Sequence, residues 1–507
     1  MKYLYNRPLE QVISELWNTV GYEYKKAFLV VLGINLLAFG FEMTNMTLHH
    51  DDVIHIFIQD DILGHYLGRF GFGWLHYRTQ NAYIMPFLQA VEGILLMSVY
   101  GLIISYFWGA RNTLDIILIS SVVCVFPYMA QMYQYNTSMY PFALAHLLAA
   151  AAVILSARAT FLYVVIASLL YTAAFSIYQS VIANAATIFC IWILCKLLFE
   201  KDADSFFSRE MVKSAIAALL SVSVGGVIYL VVVSAMDLSF DSYQAAGQAF
   251  NFKDGSNITY AITAILNGTR SFLFWPENYF PNYLVKLQLI FIVCAGVICL
   301  WLPKTPGRKA GAVVMLVLTL FAPRVLQLIH PEGIYHNLTL TAYAVVIAGA
   351  VMIVNRAGHV LTRNLSIVTA TFLVAGYIMQ CNWISTVNYL NTMAHYSTMT
   401  QLLSRIRALP AENWDGRKIA VVGNYDMHSD YPFKSATGVA VEYMDAVHMQ
   451  NLAKLMREDV SIVEADVTTP GALEYAATHP SWPHPASVGV VDGMGVVVFS
   501  KNLPDPH

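Results

Sequence analysis

The chain has 507 residues, of which 57% are hydrophobic and only 12% are charged. A soluble protein carries about a quarter charged residues, so this composition excludes a soluble globular protein and indicates a polytopic membrane protein. The formal net charge of −3 identifies no partner because the charges are sorted between loops, and no nucleic-acid partner is expected. The six cysteines lie within or at the ends of apolar runs, so no disulfide framework is expected.

Apolar runs that can cross about 30 Å of hydrocarbon predict about eleven membrane-spanning helices. The first begins behind Lys25-Lys26 without a small-residue cleavage site, so it is interpreted as an uncleaved span. We expect an interfacial amphipathic helix within 1–26, a transmembrane domain at 27–384 and a soluble segment at 385–507. The spans are predicted at about 27–47, 83–108, 113–130, 141–157, 160–177, 181–199, 214–236, 284–302, 310–323, 338–354 and 365–384.

Basic residues indicate which side each loop faces, because cytoplasmic loops are enriched in lysine and arginine. If the N-terminus lies in the cytoplasm, every inner loop carries at least one basic residue, whereas the outer loops contain few. The odd number of spans then exports the segment 385–507. The inner-loop basic residues are Arg111, Arg158, Lys201, Arg209, Lys213, Lys304, Arg308, Lys309, Arg356 and Arg363.

The first outer loop, 42–82, carries the pair Asp51-Asp52 just after the first span. Carboxylates beside hydrocarbon are costly, so a pair at a membrane exit is a candidate functional site. An apolar pattern from Val53 to Leu63 predicts an interfacial helix behind the pair. A carboxylate at a helix start also caps backbone N–H groups, and this structural role remains an alternative.

Two further outer loops, 237–283 and 323–337, complete the candidate site. Arg69, Arg270 and Arg324 are the outer-side arginines nearest to predicted span ends. Each is interpreted either as a phosphate ligand or as an interfacial anchor. Glu332 and His336, in the outer loop before the tenth span, are candidates to line the same cavity.

The C-terminal segment has an ordinary charge density and predicts a small α/β domain. Helices are expected at Thr386–Leu409 and Val439–Met456, and strands at Lys418–Val422 and Val460–Val463. A hairpin is expected where two further strands, Val488–Val491 and Val496–Phe499, flank the turn residues Asp492-Gly493-Met494-Gly495.

Cofactor and nucleotide motifs are not found in the sequence. No P-loop and no GxGxxG fingerprint after a strand is present. His49, His50, Asp51 and His55 fit no standard zinc spacing, so no cofactor is expected and a divalent metal is not favoured. An enzyme whose site faces away from the nucleotide supply needs a donor already in the outer leaflet, which points to a lipid-linked donor.

Several short motifs resemble one family. His50-Asp51-Asp52, Gly68-Arg69-Phe70-Gly71, Tyr140-Pro141-Phe142 and Tyr178-Gln179-Ser180, together with the membrane organisation, resemble the polytopic GT-C glycosyltransferases that use polyprenyl-phosphate sugars. Within these, the chain looks most like the GtrII-type serotype-converting O-antigen glucosyltransferases. The resemblance implies a GT-C-like multi-pass protein of the bacterial inner membrane. It also implies transfer of glucose from undecaprenyl-phosphate glucose to a lipid-linked O-antigen (lipopolysaccharide) repeat in the periplasm.

The resemblance also implies residue roles. Asp51 or Asp52 becomes the general base; Asp51 is favoured, with Asp52 orienting the acceptor or the loop. A single base and a phosphate leaving group suit one displacement with inversion. Arg69, Arg270 and Arg324 are assigned to the donor phosphate. The assigned substrate-binding residues are His50, His55, Tyr178, Gln179, Trp275, Glu332 and His336.

Two other functions remain alternatives. The same scaffold could use another sugar or acceptor, such as aminoarabinose with lipid A or mannose with a protein. A transporter or flippase of lipid-linked glycans is less favoured, because the sequence shows neither an internal repeat nor charges at mid-membrane depth.

Overall fold

The computed structural model describes residues 11, 14–15, 18–49, 52–53, 67–76, 84–200, 208–238, 255–274, 280–330, 335–409, 414, 416–426 and 443–501. Most of the described residues form a bundle of helices. The helices are α1 (Tyr22–Thr44), α2 (Phe70–Trp74), α3 (Pro86–Phe107), α4 (Thr113–Cys124), α5 (Pro127–Gln134), α6 (Met139–Ser156), α7 (Phe161–Ile177), α8 (Val181–Phe199), α9 (Arg209–Ala235), α10 (Gly255–Phe274), α11 (Asn282–Trp301), α12 (Pro306–Phe321), α13 (Leu326–Ile329), α14 (Ala342–Ala357) and α15 (Val360–Arg407). Two 3₁₀ turns, Ala322–Arg324 and Asn337–Leu340, precede α13 and α14.

The prediction of a multi-pass helical membrane protein is confirmed. Eight helices within the described ranges are long and apolar enough to cross a membrane, or nine if the bent pair α4 and α5 forms one span. Every predicted span coincides with helical residues. With 17 and 16 residues, α7 and α12 are shorter than the eight helices that can cross a membrane unaided. The total of eleven spans therefore stays a prediction. In the predicted segment 1–26, the described residues 11, 14, 15, 18 and 19 are helical, Val20 and Gly21 are not, and α1 begins at Tyr22.

The third predicted span is broken rather than straight. The axes of α4 and α5 differ by 54° at the break. Phe126 has an extended backbone, with φ −59° and ψ 132°, and Pro127 opens α5. Proline lacks the N–H that would continue the helix and forces the preceding residue out of the helical region, which explains the bend.

The last predicted span, 365–384, and the predicted helix Thr386–Leu409 are one continuous helix, α15. It has 48 residues, which correspond to a length of about 72 Å and exceed a hydrocarbon core of about 30 Å. Its final turns therefore extend beyond the bundle. Met399, Leu402 and Ile406 of these turns pack in the core of the C-terminal segment. The domain boundary at 384/385 stays a prediction.

The C-terminal segment contains the expected α/β elements. The four-stranded sheet has the order β4-β1-β6-β5, with β1 parallel to both of its neighbours and β5 antiparallel to β6. The end of α15 and α16 pack on one face of the sheet, and α17 packs on the other. Its elements are β1 (Lys418–Val422), β2 (Tyr425–Asp426), β3 (Tyr443–Met444), α16 (Ala446–Leu455), β4 (Ser461–Glu464), α17 (Pro470–Thr478), β5 (Val488–Val491) and β6 (Met494–Val498).

Two details of this segment test the predicted elements. The hairpin is confirmed: Val491 pairs with Met494, and Asp492 and Gly493 have φ of 52° and 75°, as a two-residue type I′ turn requires. The second strand starts at Met494, earlier than predicted. The helix predicted at Val439–Met456 is wrong at its start, because Tyr443 pairs with Asp426 and the Asp445 side chain caps α16 by accepting from His448 N.

The bundle has two chemically different ends. We call the end where α1 finishes and α15 leaves the bundle the acidic end, and the other the opposite end. At the opposite end, Arg363 forms an ion pair with Asp115 at 3.3 Å. Arg308 donates to the carbonyl of Leu197 at 2.9 Å and to that of Glu200 at 2.7 Å, so it caps the last turn of α8.

Candidate functional site

Two carboxylates are buried together at the acidic end. Glu42 lies in the last turn of α1 and accepts a hydrogen bond of 2.7 Å from the Thr47 hydroxyl. Asp52 lies close enough to interact electrostatically with Glu42. Asn136, just after α5, donates its side-chain amide to the Thr47 carbonyl at 2.6 Å and to the Asp52 carboxylate at 2.7 Å. We call Glu42, Thr47, Asp52 and Asn136 the acidic cluster.

Asp52 is held by backbone as well as side-chain groups. The side chain is 0% exposed. The Oδ2 atom accepts from the backbone N of His49 at 3.1 Å and from the backbone N and Nδ2 of Asn136 at 3.3 and 2.7 Å. Several N–H groups converging on one oxygen stabilise a charged carboxylate and hold the turn around it. This geometry suits the predicted role of Asp52 as a residue that orients the loop.

The loop that carries Asp52 is attached to the C-terminal segment. The backbone N of Leu48 donates to the Thr392 hydroxyl of α15 at 3.1 Å. Leu48 and Val53, on either side of Asp52, are buried in the same apolar cluster as Met399 and Ile406. The soluble segment therefore packs directly against the first loop of the candidate site.

Several predicted site residues lie outside the described residues. They include the favoured base, Asp51, and most of the interfacial helix expected after it. Their predicted roles stay predictions. The residues concerned are His50, Asp51, His55, Trp275 and Glu332.

Arg69, Tyr178 and Gln179, which the sequence predicted separately, are brought together. The Nε atom of Arg69 donates to Oε1 of Gln179 at 3.3 Å, and its guanidinium lies 5.2 Å from the centroid of the Tyr178 ring. Nε2 of Gln179 donates to the Leu67 carbonyl at 2.9 Å and to the Tyr229 hydroxyl at 2.8 Å. We call Arg69, Tyr178, Gln179 and Tyr229 the Arg69 cluster.

The Arg69 cluster fixes a turn as well as a cation. Gly68 has φ +63°, a conformation that glycine adopts without strain, and its carbonyl accepts from the Tyr229 hydroxyl at 3.2 Å. Burial raises the pKa of Tyr178 to about 12, although the Arg69 charge opposes this shift. Tyr178 is therefore a neutral hydroxyl at physiological pH and does not act as a base.

A row of aromatic rings joins the Arg69 cluster to the acidic cluster. The Tyr178 ring lies 4.5 Å from that of Phe142, measured between centroids, and Phe142 lies 6.3 Å from Tyr135. Tyr135 in turn contacts the ring of His49 at 3.8 Å. Ring contacts thus run from Arg69 to His49, whose backbone N donates to the Asp52 carboxylate.

The other two predicted phosphate ligands lie at or beside α10. Arg324 is half-buried; its Nε donates to the Tyr343 hydroxyl at 3.0 Å, and its guanidinium lies against Gly268 of α10. Tyr343 also stacks on Phe272 of α10 with centroids 3.7 Å apart. Arg270, on the same helix, is exposed.

His336 lies at the start of the 3₁₀ turn Asn337–Leu340 and is half-buried. Its carbonyl accepts from the Thr339 hydroxyl at 2.7 Å. In the same turn, the backbone N of Leu338 donates to Oε1 of Gln131 at 2.8 Å. This bond attaches the turn to α5. A substrate contact for the His336 ring stays a prediction.

Sequence reasoning missed four members of these clusters, among them Thr47, which carried no signal of its own. Glu42 carried a usable signal, since an acidic residue within a predicted span is itself a functional-site candidate. Asn136 and Tyr229 carried none, because ordinary polar residues gain significance only from partners distant in sequence. Among the residues that the structure describes, no group of three or more His, Cys, Asp or Glu side chains could hold a metal ion.

The fold and these clusters define an integral membrane protein with a buried acidic site at one end of its helical bundle. The family model for glucosyl transferase GtrII matches residues 40–355, more than half of the chain, and the chain belongs to this family. The predicted resemblance is thereby confirmed, and the protein is a membrane glycosyltransferase.

Comparison with individual proteins adds a distant structural likeness. No curated protein matches the sequence. The crystal structure of ArnT from Cupriavidus metallidurans bound to undecaprenyl phosphate is similar at 12% sequence identity, over 87% of this chain and 85% of that chain, with a TM-score of 0.32.

Proposed function

We propose that this protein transfers glucose from undecaprenyl-phosphate glucose to a lipid-linked O-antigen repeat on the periplasmic face of the bacterial inner membrane, on a GT-C-like scaffold. The observation that carries the proposal is the joining of the acidic cluster to the Arg69 cluster through the aromatic row. A glucosyl transfer from a lipid phosphate needs a carboxylate for the acceptor and a cation for the leaving phosphate. Aromatic rings between them suit the apolar faces of a sugar.

The reaction would be a single displacement. The acceptor hydroxyl oxygen attacks the anomeric carbon of the donor glucose as the bond from that carbon to the phosphate oxygen breaks. The hydroxyl proton goes to an aspartate, and the bonding electrons leave with the lipid phosphate. Attack opposite to the leaving group inverts the anomeric centre.

The base in this scheme is Asp51, and Asp52 orients the loop. The burial of Asp52 and the convergence of N–H donors on its Oδ2 support the orienting role, since these groups compete with a reacting proton for the carboxylate. Adjacent residues also point in different directions, so both cannot serve the same acceptor atom.

Arg69 is the favoured ligand for the leaving phosphate. It is held by the Gln179 side chain and lies against the Tyr178 ring, so its guanidinium is oriented before substrate binds. Arg324 is a second candidate, because it is also half-buried and hydrogen-bonded. Arg270 is exposed and has the weakest support.

The proposed orientation rests on the distribution of basic residues. Arg308 and Arg363 are engaged at the opposite end, which is the cytoplasmic end in this proposal. The N-terminus would then be cytoplasmic, and the acidic end and the C-terminal segment periplasmic. At that face an enzyme has access to lipid-linked donors rather than to nucleotide sugars.

The proposal is tested with Asp51→Asn and Asp52→Asn in a purified transfer assay using synthetic polyprenyl-phosphate glucose and an O-antigen acceptor. Asp51→Asn should lower kcat by at least about a hundredfold, the effect typical of removing a general base. Asp52→Asn should lower thermal stability as well as turnover. Wild-type turnover in Asp51→Asn would exclude Asp51 as the base, and wild-type turnover in both variants would exclude the pair.

A further inference from the structure

Asn388, on α15, has a buried amide that no described residue hydrogen-bonds. Its side chain is 1% exposed, and neither Oδ1 nor Nδ2 has a hydrogen-bond partner within the described part of the chain. A buried amide without a partner destabilises a fold, so such a group in a native protein calls for an explanation. Residue 388 also lies beyond residue 355, where the family match ends.

The neighbours of Asn388 on α15 show which way it faces. Ser385, three residues earlier, lies near the Glu42 carboxyl, and Thr392, four residues later, accepts a hydrogen bond from the backbone N of Leu48. Residues three and four apart lie on one face of a helix. Asn388 therefore lies between these two contacts and is directed at the loop that carries the acidic cluster.

A second orphaned amide belongs to the same region. Gln134 ends α5, is 1% exposed, and has no hydrogen-bond partner at Oε1 or Nε2 in the ranges described. It lies two residues before Asn136, whose amide holds Asp52 and Thr47. Helix α5 packs against both α1 and α15. Two amides without a partner among the described residues thus lie on neighbouring helices that both carry or adjoin the acidic cluster's contacts.

We infer that Asn388 and Gln134 form a hydroxyl-binding subsite beside the acidic cluster and contact the ring hydroxyls of a hexose. An amide offers a donor and an acceptor, which match a hydroxyl group in either of its roles. The nearby carboxyl groups of Glu42 and Asp52 can accept further hydrogen bonds from hydroxyl groups. This inference rests on the proposed glucosyl transfer and extends it to α15, the helix that continues into the C-terminal segment.

The subsite predicts an unusual combination of effects for Asn388→Leu. Replacing an unpartnered buried amide by an apolar side chain of similar size should leave the melting temperature unchanged or raise it. The same change should lower kcat/KM for glucose transfer by about tenfold or more, because a hydroxyl of the sugar loses its partner. A merely structural asparagine would not give higher stability with lower activity.

Asn382 supplies the matched control on the same helix. Its amide donates to the Leu37 carbonyl at 2.8 Å and to the Ile378 carbonyl at 2.9 Å, so Asn382→Leu should lower the melting temperature. Its KM values should stay at the wild-type level. A lower melting temperature in Asn388→Leu, with wild-type KM and kcat, would overturn the inference.

Deoxy analogues identify the sugar that occupies the subsite. Wild-type protein should discriminate against one deoxyglucose donor, or against one deoxy acceptor, and Asn388→Leu should lose that discrimination. If the variant loses discrimination among donor analogues, the subsite binds the transferred glucose. If it loses discrimination among acceptor analogues, the subsite binds the acceptor. Unchanged discrimination in both series would refute the subsite.

A thermal-shift measurement separates this inference from the proposed function. Polyprenyl-phosphate glucose should raise the melting temperature of the wild type more than polyprenyl phosphate does, and Asn388→Leu should lose the difference if donor glucose fills the subsite. If the acceptor fills the subsite instead, the acceptor glycan should raise the melting temperature of the wild type more than that of Asn388→Leu. Failure of the wild type to transfer glucose would refute the proposed function alone, since these shifts still report on Asn388.

Discussion

The side-chain amide of Asn136 donates to the Asp52 carboxylate at 2.7 Å and to the Thr47 carbonyl at 2.6 Å. One amide therefore ties the end of α5 to both arms of the loop after α1. Because Asp52 is fully buried, loss of this amide removes a donor from a buried carboxylate, which keeps only the backbone N–H groups of His49 and Asn136 among its donors described above, and it also removes the side-chain donor to the Thr47 carbonyl.

We therefore expect Asn136→Ala to lower the free energy of unfolding by about 1–3 kcal/mol and to reduce glucose transfer. Thermal unfolding in detergent and a transfer assay on folded protein measure the two effects. Asn45→Ala is the control, because the Asn45 amide donates to two neighbours at the end of its own helix, the Phe41 carbonyl and the Thr44 hydroxyl. Equal effects of the two changes would argue against a special role for Asn136.

Tyr229→Phe tests how Arg69 is oriented. The hydroxyl that it removes accepts from Gln179 and donates to the Gly68 carbonyl, so the Arg69 turn loses two contacts. We expect KM for the lipid donor to rise by about fivefold, as loss of about 1 kcal/mol predicts. The values of kcat and of KM for the acceptor should change little.

Tyr171→Phe is the matched control for this change. Tyr171 lies on α7, and its side chain is 3% exposed, compared with 5% for Tyr229. A rise in donor KM for Tyr171→Phe equal to that for Tyr229→Phe would remove Tyr229 from the positioning of Arg69.

Gly268→Ala tests Arg324 without altering it. A Cβ atom at residue 268 would overlap the Arg324 guanidinium, which must then leave the Tyr343 hydroxyl. Alanine favours a helix over glycine by about 1 kcal/mol, so stability should not fall. We expect a several-fold rise in donor KM if Arg324 binds the phosphate.

Gly226→Ala provides the comparison, because no atom of the described residues lies within 4 Å of a Cβ at that residue of α9. It should leave KM and kcat at their wild-type values. If Gly268→Ala does the same while displacing the guanidinium, Arg324 has no part in donor binding.

A reporter that is active only in the periplasm, fused after His507, tests the proposed orientation. The odd number of predicted spans and the basic residues of the inner loops predict an active fusion. The companion fusion before Met1 should be active only with a cytoplasmic reporter. The reverse pattern would move the acidic end to the cytoplasm and contradict a lipid donor supplied in the outer leaflet.

The fold could be predicted where local physics decides it. Apolar runs gave the helices, and Asp492-Gly493 gave the hairpin, because both signals lie within a few residues. The continuity of α15 was missed because the fall in hydropathy near Ser385 marks a change of solvent rather than the end of a helix. No proline interrupts Val360–Arg407, so the helix continues into water.

The candidate site was predictable only in part. Asp51-Asp52 stood out because carboxylates are rare beside a span. The grouping of Arg69 with Gln179, 110 residues apart, depends on how the helices pack and leaves no local pattern. Asn136 and Asn388 are unremarkable in sequence and become informative only through their burial and their partners, or the lack of them.

The central claim is that a polyprenyl-phosphate sugar, and not a nucleotide sugar, is the donor. In the most direct measurement, purified protein is incubated with an O-antigen acceptor and one of two radiolabelled donors, polyprenyl-phosphate glucose or UDP-glucose. The label is then followed into glycan. The account predicts labelled glycan of inverted anomeric configuration from the lipid donor and none from UDP-glucose. Label from UDP-glucose alone, or movement of lipid-linked glycan across liposomes without any transfer, would contradict it.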